Sequence, residues 1–237
     1  MEPVEYISLP VTPYAECWDF QRERVALRQK GGPGAVIFAE HCPVVTLGRS
    51  GRRNSLLSSP DQLQQWGVDL VHSDRGGDIT YHGPGQLVVY PIFDLAGWKR
   101  SIHAYLRALE EVTIRALDEF GICAQRSALG TGIWIEDAGR PQKIGSIGVH
   151  ISRWVTSHGL ALNVSNSLEP FRYIVPCGIQ NIEMTSMAQL LGRPVDRSSV
   201  EAVLWKHVEA TFELKAENYF FDRISKKTKG DHVNVNA

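Results

Sequence analysis

Apolar residues along the chain occur both as short uninterrupted runs and as one long helical stripe. Residues 35–39, 43–47 and 87–93 are short, mostly apolar runs bounded by turn-forming or polar residues, a pattern typical of strands buried on both faces. Residues 102–120 carry apolar side chains at three- and four-residue spacing and end at Gly121, which predicts an amphipathic helix. The chain therefore mixes buried strands with helices.

Turn and capping residues place most of the other elements. The pair Thr12-Pro13 predicts a helix with Thr12 as its N-cap, and the glycine-rich residues 31–34 end it. Further helices are predicted from Ser59-Pro60 to Gly67, from about Thr185, and at the capping-box spacing Ser198-x-x-Glu201. Further strands are predicted over residues 69–72, 122–124, 132–135, 143–151 and 160–164.

This order of elements predicts one domain without strict alternation of strands and helices. No internal repeat and no linker interrupts the sequence. The fold class is therefore predicted as α+β (mixed α/β), with a central mixed β-sheet flanked by helices over residues 1–224. Residues 225–237 are polar and aperiodic, which predicts a disordered C-terminal tail.

Composition agrees with one soluble globular domain and gives no support for nucleic acid or membranes as binding partners. The 237 residues are 43% hydrophobic and 22% charged, and the net charge of −1 gives no bulk electrostatic reason to bind nucleic acid or an acidic membrane. The sequence has neither a membrane-length apolar run nor a targeting sequence. Its cysteines, Cys17, Cys42, Cys123 and Cys177, have no CxxC spacing, which predicts free thiols in the cytoplasm.

The segment Arg75–Gln86 has the composition of a ligand-binding loop. Its glycines can adopt positive φ and let a ligand lie against the backbone, and Pro84 fixes part of the path. Arg75 and His82 then become polar groups that a ligand can meet. An ordinary tight turn before the strand at residues 87–93 explains the same composition, so the loop alone does not establish a site.

Three other residues could carry chemistry. Cys177 lies between Pro176 and Gly178, which favours an exposed turn, whereas the other three cysteines are predicted to be small buried or strand-edge residues. Lys143 begins a strand-like run, a position where a lysine is usually solvated. His158 precedes a glycine and is predicted to be a capping or surface residue.

Several kinds of site have no support in the spacing of residues. The phosphate-binding patterns GxxxxGK[ST] and GxGxxG are absent, and the histidines lack the short paired spacings of zinc ligands. No metal and no cofactor are therefore predicted. The pattern GxSxG is absent as well, but a hydrolase that uses Cys177 and His82 stays open, because such pairs need not be close in sequence.

Four motifs together resemble the octanoyltransferase (lipoyl(octanoyl) transferase) family of lipoate biosynthesis. They are Arg75–Gln86, Lys143–Gly148, His158–Ala161 and Pro176–Ile179, and the resemblance extends from Tyr6 to Phe212. It implies a fold similar to the catalytic domain of biotin and lipoate protein ligases. It also implies transfer of an octanoyl group from octanoyl-acyl carrier protein to a lysine of lipoyl domains, in 2-oxoacid dehydrogenase complexes and the glycine cleavage H protein.

The resemblance also implies roles for individual residues. Cys177 would carry the acyl group as a thioester, and Lys143 would assist it. The substrate-binding residues implied are Arg75, Gly76, Gly77, Asp78, Ile79, Thr80, Tyr81 and His82, then Ser146, Ile147 and Gly148, and finally Gly159, Leu160 and Ala161.

Elementary chemistry agrees with these roles. A free thiol with a pKa of about 8.5 is mostly protonated at neutral pH, so Cys177 needs a positive neighbour such as Lys143. Passing an acyl group from a thioester to an amine needs no ATP, because the amide is the more stable product. Backbone N–H groups of Gly178 or of the Arg75 loop could stabilise the oxyanion, and Ile79, Leu160 and Ala161 are candidate apolar walls.

Two other functional classes stay open beside the transferase. One is an ATP-dependent protein ligase of similar fold, which would form an acyl-adenylate and would not need Cys177. The other is a non-catalytic protein that binds acyl carrier protein or lipoyl domains, in which both Lys143 and Cys177 would be dispensable.

Overall fold

The computed structural model of the protein describes residues 3–137, 139–179 and 182–220, so the predicted tail at residues 225–237 lies outside them. The strands are β1 (Pro3–Thr12), β2 (Gly34–His41), β3 (Val44–Leu47), β4 (Asp69–His72), β5 (Ile79–His82), β6 (Gln86–Ile92), β7 (Gln125–Ser127), β8 (Gly130–Asp137), β9 (Arg140–Ser152), β10 (Val155–Asn163), β11 (Glu183–Met184) and β12 (Lys215–Phe220). The helices are α1 (Tyr14–Arg28), α2 (Pro60–Gln65), α3 (Ile102–Asp118), α4 (Met187–Leu191) and α5 (Arg197–Phe212). None of the helices within the described ranges is long and apolar enough to cross a membrane.

Two sheets form the framework of the described residues. The larger one has nine strands in the order β12-β1-β2-β6-β10-β9-β8-β7, with β11 paired to β9, and the smaller one has the order β4-β3-β5. In the larger sheet β1 runs parallel to β2 and β12, whereas β6, β10, β9 and β8 are antiparallel neighbours. The predicted central mixed sheet flanked by helices is confirmed.

The central strands bury both faces, which explains their uninterrupted apolar runs. In β2, Val36 and Phe38 pack in the core that contains α3 and α5. Ala35, Ile37 and Ala39 point to the opposite face, into the core that α1 covers. Because side chains alternate along a strand, each face needs its own helical cover, and the larger sheet lies between α1 on one side and α3 with α5 on the other.

A third core holds the smaller sheet together. Val45 and Ile79 of this sheet pack with Leu63 of α2 and with Phe171, which lies in the 3₁₀ turn Glu169–Tyr173. The smaller sheet faces β6, β9 and β10 of the larger sheet across a cavity. This arrangement creates the site described below.

The sequence analysis does not predict β1 and β12, which pair with each other in parallel at one edge of the larger sheet. In β1, Val4 and Tyr6 enter the core of α5, whereas Ile7 and Leu9 enter the core of α1. Even-numbered and odd-numbered side chains therefore point to opposite faces, and both faces are buried. Polar residues and a proline interrupt the apolar run, so this strand escapes detection from sequence, and its pairing depends on a strand more than 200 residues away.

The helices are found near their predicted places, but two predicted caps are wrong. Thr12 is the last residue of β1, and its hydroxyl donates to the Pro10 carbonyl at 2.8 Å, so α1 begins after Pro13. The capping box Ser198–Glu201 is also wrong: Asp196 caps α5 by accepting the Ser199 N–H at 3.0 Å. A carboxylate is an equally good cap, and the sequence offered both. The helix predicted from Ser59-Pro60 is found as α2, and Ser59 is its N-cap.

Several strand boundaries also differ from prediction. Residues 122–124 are not a strand: the strand follows at Gln125–Ser127, because Ile122 is instead buried in the core beneath α3. The predicted loop Arg75–Gln86 contains β5, whose residues 79–82 pair with β3. His158 and Gly159 lie within β10 rather than in a turn before it, because that strand begins at Val155.

Candidate active site

A cavity of about 390 Å³ lies between the two sheets. Its floor in the larger sheet is formed by small side chains that are in register on neighbouring strands, Ser146 opposite Ala161 and Gly148 opposite Gly159. Side chains this small leave the space above the strands empty. Ile79 and Leu160 border the cavity, but their side chains pack in the cores on the far faces of β5 and β10, so the apolar walls are formed instead by Val88 and Ala161. With this lining the cavity suits a flexible hydrocarbon chain.

Cys177 lies at this cavity in the short turn Pro176–Gly178. It is half-buried and has a φ of 57°, a conformation rare for a residue with a side chain. Gly178 follows with a φ of 69°, and a Cβ there would lie 2.5 Å from Asp78 Oδ2. Only glycine lets the turn approach this carboxylate. The Gly178 N–H donates to the Val175 carbonyl at 2.9 Å, so its expected role as an oxyanion donor is wrong.

Lys143 contacts this cysteine directly. Its Nζ lies 3.2 Å from Cys177 Sγ and also donates to the Thr131 carbonyl at 3.2 Å. The side chain is only 1% exposed, and Nζ lies over the Trp134 ring, 4.8 Å from its centroid. The usual solvated position of a lysine at a strand end is therefore wrong here. A buried lysine fixed against a thiol can stabilise a thiolate and exchange a proton with it.

The strand β8 makes room for Lys143. A Cβ at Gly132 would lie 2.7 Å from Lys143 Cε, and the φ of Gly132 is 139°, so glycine is required for both reasons. The Gly132 N–H donates to Glu110 Oε1 at 3.1 Å. Glu110 comes from α3, is 1% exposed and also accepts hydrogen bonds from Arg107 and Arg126.

Arg75 has a structural task in this site. Its guanidinium donates to Thr46 Oγ1 at 3.0 and 2.9 Å and to the Thr46 carbonyl at 2.6 Å, and it also reaches the Gly76 carbonyl. These bonds join the glycine-rich segment to β3. Arg75 lines the cavity, but several of its N–H donors are already used in hydrogen bonds within the protein.

The far end of the cavity is closed by buried aromatic and histidine side chains. His158 donates from Nε2 to Asp74 Oδ1 at 2.7 Å, and its Nδ1 lies 3.4 Å from the Tyr14 hydroxyl. His82 lies parallel to Tyr14, with ring centroids 5.9 Å apart, and Tyr90 completes this end. The predicted surface position of His158 is wrong, since the residue is 1% exposed.

Burial keeps these groups uncharged. Desolvation lowers the pKa of His82 to about 3 and that of His41, beneath it, to about 4. It also lowers the pKa of His158 and raises that of Tyr14 to about 12. Neutral imidazoles and protonated phenols therefore face the end of the cavity at neutral pH.

Most of the residues implied by the sequence motifs meet at this cavity; the exceptions are Gly76 and Tyr81. Tyr81 packs in the core of the smaller sheet, with its ring 5.7 Å from that of Phe171, because alternation along β5 turns it away. Gly76 instead donates its N–H to the Val149 carbonyl at 2.9 Å.

Other cavity residues were missed. Val88 and Tyr90 could have been found by alternation along β6, and His158 and Ile179 lie within two of the motifs, but no local pattern points to the others. The residues missed are Tyr14, Val88, Tyr90, Leu129, Gly130, Thr131, His158 and Ile179.

Two further predictions concern cysteine and histidine. Cys17 is buried and Cys42 is half-buried, but Cys123 is exposed, contrary to prediction, because it lies in the irregular segment before β7. For the cysteine–histidine hydrolase, His82 directs Nδ1 to Gln86 Oε1 at 2.7 Å, whereas the hydrogen bond to Cys177 Sγ comes from Lys143. This geometry favours a cysteine–lysine pair.

Comparison with known proteins agrees with this geometry. The chain is 46% identical over 227 residues to the octanoyltransferase of Cytophaga hutchinsonii, covering 89% of this chain and 93% of the relative. It is 49% identical over 178 residues to the octanoyltransferase of Solibacter usitatus, covering 75% and 79%. Its fold matches that of a bi-partite lipoate protein ligase from Thermoplasma acidophilum with a TM-score of 0.71 and 16% identity, covering 96% of this chain and 89% of the other.

The family assignment follows from the same comparison. The resemblance to octanoyltransferases that the sequence motifs indicate is confirmed. The family model for the lipoyl protein ligase A/B catalytic domain matches residues 13–209, so the chain belongs to that family.

Proposed function

We propose that this protein is an acyltransferase that moves an octanoyl group from acyl carrier protein to a specific lysine of lipoyl domains, through a thioester on Cys177. The observation that carries the proposal is the 3.2 Å contact between Lys143 Nζ and Cys177 Sγ beside an apolar cavity. Membership of the family and the octanoyltransferase relatives support it.

The first half of the reaction loads the enzyme. Lys143 accepts the proton of the Cys177 thiol, and the sulfur attacks the carbonyl carbon of the donor thioester. The new carbon–sulfur bond forms as the donor's carbon–sulfur bond breaks, and the departing thiolate takes the proton from Lys143. One thioester replaces another, so this step is nearly neutral in free energy.

The second half transfers the acyl group to the acceptor. The lysine amine of the lipoyl domain attacks the Cys177 thioester, a carbon–nitrogen bond forms and the carbon–sulfur bond breaks. The surplus proton of the amine returns through Lys143 to the cysteine sulfur. The amide is more stable than the thioester, so transfer proceeds without nucleotide. Gly77, in the Arg75 loop that lines the cavity, is the candidate oxyanion donor that remains.

The cavity accounts for the acyl group. From Lys143 to Gly148 the strand β9 advances about 16 Å at roughly 3.3 Å per residue, enough for an extended eight-carbon chain. Substrate contacts come from the backbone of Gly148 and Gly159 and from the apolar side chains of Val88 and Ala161. The acceptors are lipoyl domains of 2-oxoacid dehydrogenase complexes and the glycine cleavage H protein, and the reaction takes place in the cytoplasm.

Intact mass spectrometry tests the thioester. Incubation with octanoyl-acyl carrier protein should add one octanoyl group to the enzyme, removable by hydroxylamine and located at Cys177. The half-buried Cys42 and the exposed Cys123 serve as internal controls for nonspecific acylation. Acylation of Cys42, or an active enzyme that never carries an acyl group, would refute the mechanism.

Nucleotide dependence separates this reaction from that of an ATP-dependent ligase. A carboxylate must be activated before an amine can displace its oxygen, whereas a thioester is already activated. Octanoyl-acyl carrier protein with apo lipoyl domain should therefore give octanoylated product without ATP, and free octanoate with ATP and magnesium should give none. Product formed only from octanoate and ATP would establish the ligase and leave Cys177 without a role.

A further inference from the structure

A second cavity, of about 490 Å³, meets the first one at the reactive cysteine. The two cavities share Gly77, Asp78 and Cys177, so the thiol lies where they join. The remaining lining residues of the second cavity, which we name the polar cleft, are Ser50, Arg52, Asn54, Ser55, Val175 and Gly178.

The lining of the polar cleft is more polar than that of the cavity between the two sheets, which we name the acyl cavity. The wall of the cleft at residues 50–55 contains two serines, an asparagine and an arginine, which are Ser50, Ser55, Asn54 and Arg52. Arg52 is exposed at the surface. These groups can bind amides and an anion, whereas the first cavity offers mainly space for hydrocarbon.

Hydrogen bonds fix this wall to the turn that carries Cys177. Asp78 Oδ1 accepts the Arg52 N–H at 3.1 Å, and Asp78 Oδ2 accepts the Ser55 hydroxyl at 2.7 Å. The Ser55 carbonyl in turn accepts the Val175 N–H at 2.7 Å. Asp78 therefore acts as a positioning residue for the wall, and the polar cleft keeps a defined place beside the thiol.

The acyl group and the thiol group of a thioester lie on opposite sides of its carbonyl carbon. If the acyl group lies in the acyl cavity, the thiol group must extend from the carbonyl to the other side of Cys177, where the polar cleft begins. We infer that the polar cleft binds the thiol half of the donor, an extended amide-bearing arm that ends in a phosphate, with Arg52 as the phosphate ligand. This inference rests on the proposed function, because it takes the donor to be a thioester.

Donors of different length test the inference. The two donors are octanoyl-phosphopantetheine, which carries the phosphate, and octanoyl-N-acetylcysteamine, which lacks it. Arg52→Gln should lower the ratio of kcat/KM for the first donor to that for the second by about tenfold, the effect of losing one charge-assisted hydrogen bond. Arg52→Lys should restore part of the ratio because it keeps the charge. Arg193→Gln, at an exposed position outside the cleft, is the matched control.

A binding measurement accompanies the kinetics. S-methyl-phosphopantetheine, which has no free thiol to consume the reagent, should protect Cys177 from alkylation, and the concentration needed should rise about tenfold in Arg52→Gln. An unchanged donor ratio together with unchanged protection would overturn the assignment of Arg52 and the cleft. Equal losses with both donors would do the same. If the wild-type enzyme is not acylated at Cys177 by either donor, the proposed function fails instead, and the mass measurement reports this separately.

Discussion

The two ends of the acyl cavity both contain titratable side chains but differ in whether these side chains can exchange a proton. At one end, Cys177 occupies a left-handed turn and contacts Lys143, so two groups able to exchange a proton lie within 3.2 Å. At the other end, His82, His158 and Tyr14 are linked by hydrogen bonds and ring stacking, and burial keeps them neutral. Both ends are rich in titratable residues, yet only one is arranged for proton transfer.

The two ends differ in whether their polar side chains already have hydrogen-bond partners within the protein. At the histidine end they do: His41 forms hydrogen bonds with the Thr12 carbonyl at 2.9 Å and with the Tyr90 hydroxyl at 2.7 Å. The cysteine end leaves its thiol accessible from two cavities. A buried histidine is therefore weak evidence for catalysis here, and the contact partner and its access to solvent decide the role.

Removing the nucleophile should have the largest effect. Cys177→Ala should reduce transfer by roughly 10³-fold or more, because the variant lacks the thiol that is proposed to carry the acyl chain. Its melting temperature should stay close to that of the wild type, since a half-buried small side chain is exchanged for another. Cys42→Ala is the matched control and should keep full activity. Transfer by Cys177→Ala at the wild-type rate would remove the distinction between the two ends.

Changes at Lys143 should separate charge from proton transfer. Lys143→Ala should move the alkylation of Cys177 to higher pH, because the positive charge that favours the thiolate is lost. Lys143→Arg should keep alkylation near the wild-type curve yet lose about 100-fold or more in transfer, because arginine is too basic to relay a proton. Alkylation rate against pH and single-turnover transfer measure the two effects. Identical alkylation curves for Lys143→Ala and wild type would contradict the role of this lysine.

The histidine end should appear in the pH dependence of stability. The folded pKa of His82 is about 3, below the usual 6.5, so the unfolded state binds more protons between these values. Its contribution is complete above pH 6.5 and is lost as the pH falls towards 3, at about 1.4 kcal/mol per pH unit. His82→Phe should flatten this slope in urea unfolding, whatever its constant offset in stability. Equal slopes for both proteins would show that the pKa of His82 is the same in the folded and unfolded states, which would contradict the lowered folded pKa.

Glu110 should have the smallest effect, through the position of Lys143. It holds the Gly132 N–H next to Thr131, whose carbonyl accepts from Lys143 Nζ. Glu110→Ala should lower kcat about tenfold and shift the alkylation curve of Cys177, whereas Glu110→Gln keeps an acceptor and should restore most of both. The neighbouring Glu111→Gln, at an exposed ion pair, is the matched control. A loss of stability without a shifted alkylation curve would limit Glu110 to a structural role.

Much of the fold could be predicted because local patterns report it. The apolar stripe at residues 102–120 corresponds to α3, and the run at residues 87–93 corresponds to β6. Predicted boundaries failed where the sequence offered two equally good local caps, as at Asp196 and Ser198. The strand β1 was missed because Glu5, Ser8 and Pro10 interrupt its apolar residues, although both of its faces are buried.

The candidate site could be predicted only through its motifs. Cys177 and the glycines of residues 75–86 are recognisable from the sequence, because a turn and a close approach of backbone have their own residue preferences. Tyr14 and Thr131 could not be found in this way. They reach the cavity from α1 and β8, and nothing within either segment indicates what it will face.

Local sequence patterns identify the residues that can react and most of the strands and helices, and they show that a cysteine, a lysine and glycine-rich segments occur together. Which of these residues meet depends on the tertiary structure, which buries Lys143 against a thiol 34 positions away and makes His158 a neutral part of the cavity wall. Hydrophobic periodicity specifies which face of an element is buried, whereas the pairing of elements specifies what that face touches.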